Sequence, residues 1–317
     1  MKNAIFEKEI KLGSRTIKLP LAIILYGILV DLIAVFSLMS ACNLGQTNMY
    51  RDCVIDYNSV TGCFQDISFF LLFMIGIIIP VITASSIAGE REKQTLDIML
   101  TAPISPSYIV VGKLFAALCN IFMYIVVSFP ALAISFIFGG INVISLVEFL
   151  VYIFVFSFFI GAIGIWCSAV FNKTIVSIVM SFIVELIVLF APVIITGITV
   201  TQKAVESEDL TTVNSALDLG YRLLILFLTP ALGYVGIGQG TGEGFGGMMN
   251  EILSEYHSSK IVEFAYGHTL IISLVVTFLY GLLFIYLAAR KIDSIRLQGV
   301  VIDSIEVGNG KREINEG

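Results

Sequence analysis

Charge is what this sequence has least of. Asp, Glu, Lys and Arg make up 13% of its 317 residues, against roughly 25% in a soluble domain. Apolar residues account for 57%, and they gather in long uncharged runs that recur along the chain, the pattern of a protein whose main solvent is hydrocarbon. Little is left from which to build a soluble catalytic domain, and no basic surface of the size that nucleic acid requires appears. Catalytic punctuation is missing as well. The chain has no His-Glu-x-x-His, no Gly-x-Ser-x-Gly and no Gly-x-x-x-x-Gly-Lys-Ser/Thr loop, so it offers no means of binding nucleotide phosphates itself. No cofactor is expected on this chain.

Two weaker patterns carry no further weight. Gly242, Gly244 and Gly247 match Gly-x-Gly-x-x-Gly, but that fingerprint needs a preceding strand and a following helix. Here it lies in a glycine-rich connection and reads as flexible backbone. His257 and His268, with Glu251, Glu255 and Glu263, are spaced in no tight ligand pattern, so no metal site is expected.

What the sequence does contain is six apolar runs. Leu19 to Ser40 is the first, about 22 residues, enough to cross a core of roughly 30 Å at 1.5 Å per residue. Its length and the central Asp31 argue against a cleaved signal peptide, despite a lipoprotein-like Ala41-Cys42. The others are Ile67 to Ala88, Ile109 to Phe138 with Pro130 as an expected kink, Leu146 to Val170, Ile175 to Val200 and Phe264 to Ala289. A polar turn at Phe171–Thr174 makes runs four and five an antiparallel hairpin. Residues 1–18 alternate Ile5, Phe6 and Ile10 with charges, as either a surface-lying amphipathic helix or a solvated basic tail would. Within residues 201–263, Leu223 to Val235 is too short to span and carries Pro230, so it is expected to be interfacial or re-entrant. The expected fold is an all-α integral membrane protein, a single transmembrane domain over 1–317 with a tail at 290–317.

Orientation follows from lysine and arginine. Fourteen of eighteen fall on one side if both termini are cytoplasmic, which predicts a multi-pass protein with both ends inside. Of the five cysteines, Cys119 and Cys167 lie in apolar runs and read as packing residues. Cys42, Cys53 and Cys63 fall in one polar connection on the outer side, and two of the three are candidates for a disulfide.

Asp31 and Glu185 each sit near the centre of an apolar run. An ionised acid there costs at least ~2.5 kcal/mol, so each should face a partner or a water-filled cavity. Two readings stand side by side: a translocation-path site for a cationic group, or a protonated carboxyl hydrogen-bonded to a neighbouring helix. An intramembrane hydrolase using the pair would need flanking catalytic residues that are absent.

The most specific stretch runs from Ala88 to Pro103. A Gly-Glu-Arg-Glu run at 89–92 leads through Thr95 to Leu96, Met99 and Leu100, which share one face at helical spacing, before Pro103 and then Gly112 and Lys113. Carboxylates suit a helix start, and a short exposed helix with an apolar face wants a groove on a partner. At these residues the sequence resembles the permeases of the type-2 ATP-binding-cassette exporter family of bacteria, and the likeness extends to six spans, an amphipathic N-terminal helix and a long segment before the last span.

The resemblance implies a cytoplasmic coupling helix that docks on an ATP-binding-cassette ATPase subunit through Glu90, Arg91, Glu92, Thr95, Leu96 and Leu100. It also implies a second permease copy or a related permease across the substrate path, a lipid bilayer as surroundings, and ATP and Mg held by the ATPase rather than by this chain. The expected function is export of a hydrophobic or amphipathic substrate across the bacterial cell membrane. The alternative is a non-transporting membrane scaffold or sensor that recruits a cytoplasmic partner through the same helix.

Overall fold

The structure, a computed structural model, describes residues 17–41, 57–96, 106–137, 142–206, 229–231, 233–234, 237 and 268–316. Among them are six long helices: α1 (Lys18–Ala41), α2 (Tyr57–Glu92), α3 (Pro106–Ile137), α4 (Val143–Val170), α5 (Thr174–Glu206) and α6 (Thr269–Glu316). Each contains a stretch long and apolar enough to cross a membrane, and no strand occurs among the described residues. An all-helical bundle satisfies every backbone amide within its own segment, which is what hydrocarbon demands.

Local sequence explains the ends. α3 starts at Pro106, whose missing N–H is one the first helical turn would leave unpaired anyway. α4 stops at Phe171, which turns extended while its amide still bonds the Cys167 carbonyl at 3.0 Å. Only Phe171, Asn172 and Lys173 then separate α4 from α5, so the two form the expected hairpin. Pro80, Pro130 and Pro192 lie inside α2, α3 and α5.

α2 and α4 are the centre of the bundle. They supply most of its largest fully buried side chains, among them Leu71, Ile75, Ile79, Phe149, Tyr152 and Phe159. The two helices run parallel and touch closely where Gly164 meets Thr83: a Cβ at Gly164 would lie only 2.9 Å from the Thr83 Cβ. Small residues at such crossings let backbones approach, which is how helices gain dispersion contact in lipid. α1 joins α2 through the Ser37 hydroxyl, which donates to Asp66 at 2.9 Å, and joins α3 through Tyr26, edge-on to Tyr124 and 2.7 Å from the Ser128 hydroxyl. Outward, α1, α5 and α6 expose Leu21, Ile28, Phe190, Ile194, Ile271 and Leu279, a surface suited to acyl chains.

Four boundaries differ from expectation, both ends of α2 and both ends of α6. α2 begins at Tyr57, so Cys63 lies inside a helix rather than in the polar connection, and it is a buried free thiol. Cys42 and Cys53 lie outside the described residues, as do residues 1–16, the glycines at 242–247 and His257. At its other end α2 continues through Glu90–Glu92 instead of stopping at Ala88. α6 starts later, at Thr269, and runs on to Glu316 with no proline inside it.

Between α5 and α6, the described residues Thr229–Ala231, Gly233, Tyr234 and Ile237 seat against α2, α4 and α6. The Pro230 carbonyl accepts from Tyr152 at 3.0 Å and from Ser273 at 3.1 Å, and Tyr234 donates to the Gln65 carbonyl at 2.7 Å, with the Ser68 hydroxyl 2.9 Å away. Burial pushes the Tyr234 hydroxyl up to about 12, so it stays neutral and able to donate.

Candidate functional site

The most specific motif of the sequence begins in the last turn of α2, and that helix closes in an uncommon way. Gln94 adopts φ 57°, its amide bonds the Arg91 carbonyl at 3.0 Å, and the Thr95 amide reaches back to the Glu90 carbonyl at 2.9 Å. This pair of bonds is a Schellman closure with glutamine where glycine is usual. The Thr95 hydroxyl adds a bond to the same Glu90 carbonyl at 3.1 Å.

Glu90 and Glu92 therefore stand at the end of a helix, not at the start of one as the sequence suggested. A helix C-terminus carries partial negative charge and disfavours carboxylates, so each is offset by a neighbour. Lys113 of α3, whose side chain is 1% exposed, lies 3.0 Å from Glu90 Oε1 and donates to the Ser86 carbonyl at 3.0 Å. The ion pair ties the end of α2 to the beginning of α3, the two points between which the intervening loop is strung. Glu90 Oε2 is buried with no hydrogen-bond partner among the described residues. Glu92 accepts a short hydrogen bond from the Thr174 hydroxyl. Thr174 opens α5, so this carboxylate does complement a positive helix start, but that of α5.

Arg91 points the other way, over the end of α4. Its guanidinium donates to the Ala169 carbonyl at 3.1 Å, the Phe171 carbonyl at 3.4 Å and the Asn172 side-chain oxygen at 2.6 Å. The two backbone acceptors are carbonyls that α4 leaves unpaired at its end, where a cation is also favoured by the dipole. Arg91 is thus a C-terminal cap supplied to α4 by α2.

One turn deeper, two serines engage the backbone of α2. Ser168 of α4 accepts from the Ile87 and Ala88 amides at 2.9 and 2.8 Å, and Ser177 of α5 donates to the Ala84 carbonyl at 3.0 Å. The terminal turns of α2 are bound by side chain to backbone on both arms of the α4–α5 hairpin and by an ion pair to α3. The end of α2 is thereby attached to α3, α4 and α5.

This geometry redistributes the residues singled out from sequence. Glu92 and Thr95 are exposed, together with Lys93 and Gln94. Glu90 and Arg91 are committed inside the chain, and Leu96 is 3% exposed within the core, so it does not present a free apolar face. Leu100 lies outside the described residues. Ser168 and Ser177 went unnoticed in the sequence, and Asn172 and Thr174 were read only as parts of a polar turn. Their signal was small polar residues at the near ends of two apolar runs, where interhelical hydrogen bonds form.

The two intramembrane carboxylates occupy different settings and make no hydrogen bond to one another. Asp31 is exposed on α1. Glu185 is 7% exposed, lodged between α5 and α2.

Compared with known families, the chain matches the family model described as ABC-2 family transporter protein over residues 3–288. A search of the curated proteins finds no match.

Proposed function

Since this chain belongs to the ABC-2 transporter family, as a membrane-spanning permease, we propose that it is the transmembrane half of an exporter driven by ATP that a separate subunit binds and hydrolyses. The sequence has no phosphate-binding loop, so ATP and Mg belong to the partner. In this reading the exposed residues Glu92 and Thr95, with Leu100 beyond, meet the ATPase, while Glu90, Arg91 and Leu96 anchor the loop to the bundle. The docking surface is narrower than the sequence motif, and the anchors behind it matter as much.

The observation that carries the proposal is the triple attachment of the last turns of α2. A loop that only fixed topology would need its charges but no such attachment. A loop that transmits force needs a stiff base, and side-chain bonds from Arg91, Ser168, Ser177 and Lys113 supply one. When ATP draws the partner subunits together, the loop moves, α2 moves with it, and α4 and α5 follow because Arg91 and Ser177 hold them to it. A second permease, identical or related, would complete the path, and a hydrophobic or amphipathic cargo suits walls of this composition.

The test is reconstitution of the permease with its ATPase in vesicles. Arg91→Ala should leave the ATPase bound, since Arg91 is spent internally, while cargo moved per ATP falls by about tenfold, within the usual range of coupling free energies. If the wild-type chain retains no ATPase through purification, the reading fails. If it retains one but moves no cargo, the scaffold alternative holds instead.

A further inference from the structure

α5 is built inside out. Most of its outward residues are apolar, yet the residues it buries among those described are Ser177, Ser181, Glu185 and Thr196. Ser177, Ser181 and Glu185 follow one another at four-residue spacing, a single stripe on one face. That stripe lies along α2 in antiparallel register: Ser177 meets Ala84, and eight residues further along α5, Glu185 meets Gly76, eight residues back along α2.

At Glu185 the stripe meets a gap in the ladder of α2. Pro80 sits inside that helix and has no N–H, so the carbonyl four residues earlier, that of Gly76, lacks its helical donor. Gly76 is also where Glu185 comes close: a Cβ there would stand 3.1 Å from Glu185 Oε1. The carboxyl thus lies beside Gly76, in the turn whose carbonyl lacks its helical donor. Its Oε2 is buried and has no hydrogen-bond partner among the described residues.

A carboxylate in this position would need donors, and the neighbours offer none. The Ser181 hydroxyl already donates to the Ile178 carbonyl at 2.7 Å, Ser177 to Ala84, and Thr83 to the Ile79 carbonyl at 2.8 Å. No lysine, arginine or histidine lies on α2 between Asp66 and Glu90, on α4 between Tyr152 and Cys167, or on α5 between Lys173 and Lys203. Those bounding residues are the nearest titratable or charged groups that α2, α4 and α5 present along their sequences on either side of Glu185. The Gly76 carbonyl lacks its helical donor, the Glu185 carboxyl beside Gly76 has no donor either, and a proton on the carboxyl would serve both.

We propose that Glu185 is a proton-binding site: the side chain is held as a carboxylic acid whose O–H donates to the Gly76 carbonyl, fastening α5 to α2 at mid-membrane, and loss of that proton to water unfastens the two helices. In the release step the O–H bond breaks, the electron pair stays on the carboxylate, and the proton passes to solvent. This concerns the α2–α5 seam alone and does not depend on the permease reading.

Infrared spectroscopy of the purified full-length chain in lipid nanodiscs at neutral pH tests it. A protonated-carboxyl stretch is expected in the wild type and should vanish in Glu185→Gln, whose amide keeps the shape and a donor. Pro80→Ala returns an N–H to the Gly76 carbonyl, and the competition should move the stretch toward the position of a weakly bonded acid. Gly76→Ala crowds the same contact and serves where Pro80→Ala yields no folded protein. Wild-type and Glu185→Gln spectra identical in the protonated-acid region would overturn the site. A stretch present but unmoved by both α2 variants would overturn Gly76 as the acceptor. Neither readout involves ATP or cargo, so a failure here and a failure of the exporter reading are separable.

Discussion

Gln94 occupies a backbone conformation that suits its side chain poorly. At φ 57° an L-residue with a Cβ pays about 1–2 kcal/mol, which glycine avoids. Gln94→Gly should therefore raise the thermal unfolding midpoint of the detergent-solubilised protein by the equivalent of about 1 kcal/mol, after part of the gain is lost to the freer unfolded chain. A midpoint that falls would mean the glutamine side chain makes a contact worth more than the strain. Gly164 is the opposite case, a glycine that only an absent side chain permits. Gly164→Ala puts a methyl against Thr83 and the α2 backbone, and overpacking of this severity costs at least ~1–3 kcal/mol. The double variant with Thr83→Ala should recover part of the folded yield, measured by size-exclusion chromatography. Recovery stays partial because the Ala84 amide, 3.2 Å from the new Cβ, remains in the way.

Among elements, the end of α2 shows what a sequence can and cannot disclose. The spans were legible because each is a run of apolar residues long enough to cross a bilayer, and hydrocarbon leaves such runs no structure but a helix. The α4–α5 hairpin was legible because Phe171–Thr174 is too short for anything else. The end of α2 was not, because the Gly-Glu-Arg-Glu run at 89–92 reads as the start of a separate short helix. What keeps it helical is invisible in a linear string: Arg91 bonds the backbone carbonyls of Ala169 and Phe171, and backbone carbonyls carry no residue signature. Glu90 and Lys113 are 23 positions apart, and only the packing of α2 on α3 reveals that they pair. The motif between two spans was readable, and its division into buried and exposed residues was not.

That pairing has a measurable consequence. Removing one member of a buried ion pair leaves an uncompensated charge at a cost of about 3–5 kcal/mol, whereas removing both can be nearly neutral. Lys113→Met should sharply reduce thermal stability, and Lys113→Met with Glu90→Gln should restore most of it. Additive losses in the double variant would show that the two side chains do not compensate one another.

Across the whole molecule, the charges sort by end. Arg91, Lys113, Lys173, Arg290 and Lys291 belong to helix ends and connections that alternate along the chain, and in an antiparallel bundle of six spans these all emerge on one side. That side also carries the start of α1 and the anchored loop after α2. Cytoplasmic segments near spans are enriched in lysine and arginine, so this end is predicted to face the cytoplasm. The argument is sensitive to span count, since a crossing by residues 201–263 would throw the basic end of α6 to the other side. The described residues there oppose such a crossing, because Pro230, in a turn, and Tyr234 are hydrogen-bonded to α2, α4 and α6. Cysteines introduced at Lys173 and Glu208, in a background without the native five, should separate the cases. A membrane-impermeant maleimide added to intact cells should react at position 208 and spare position 173 until the cells are opened. Reaction at 173 from outside would invert the bundle, and with it would remove the anchored end of α2 from any compartment that holds ATP.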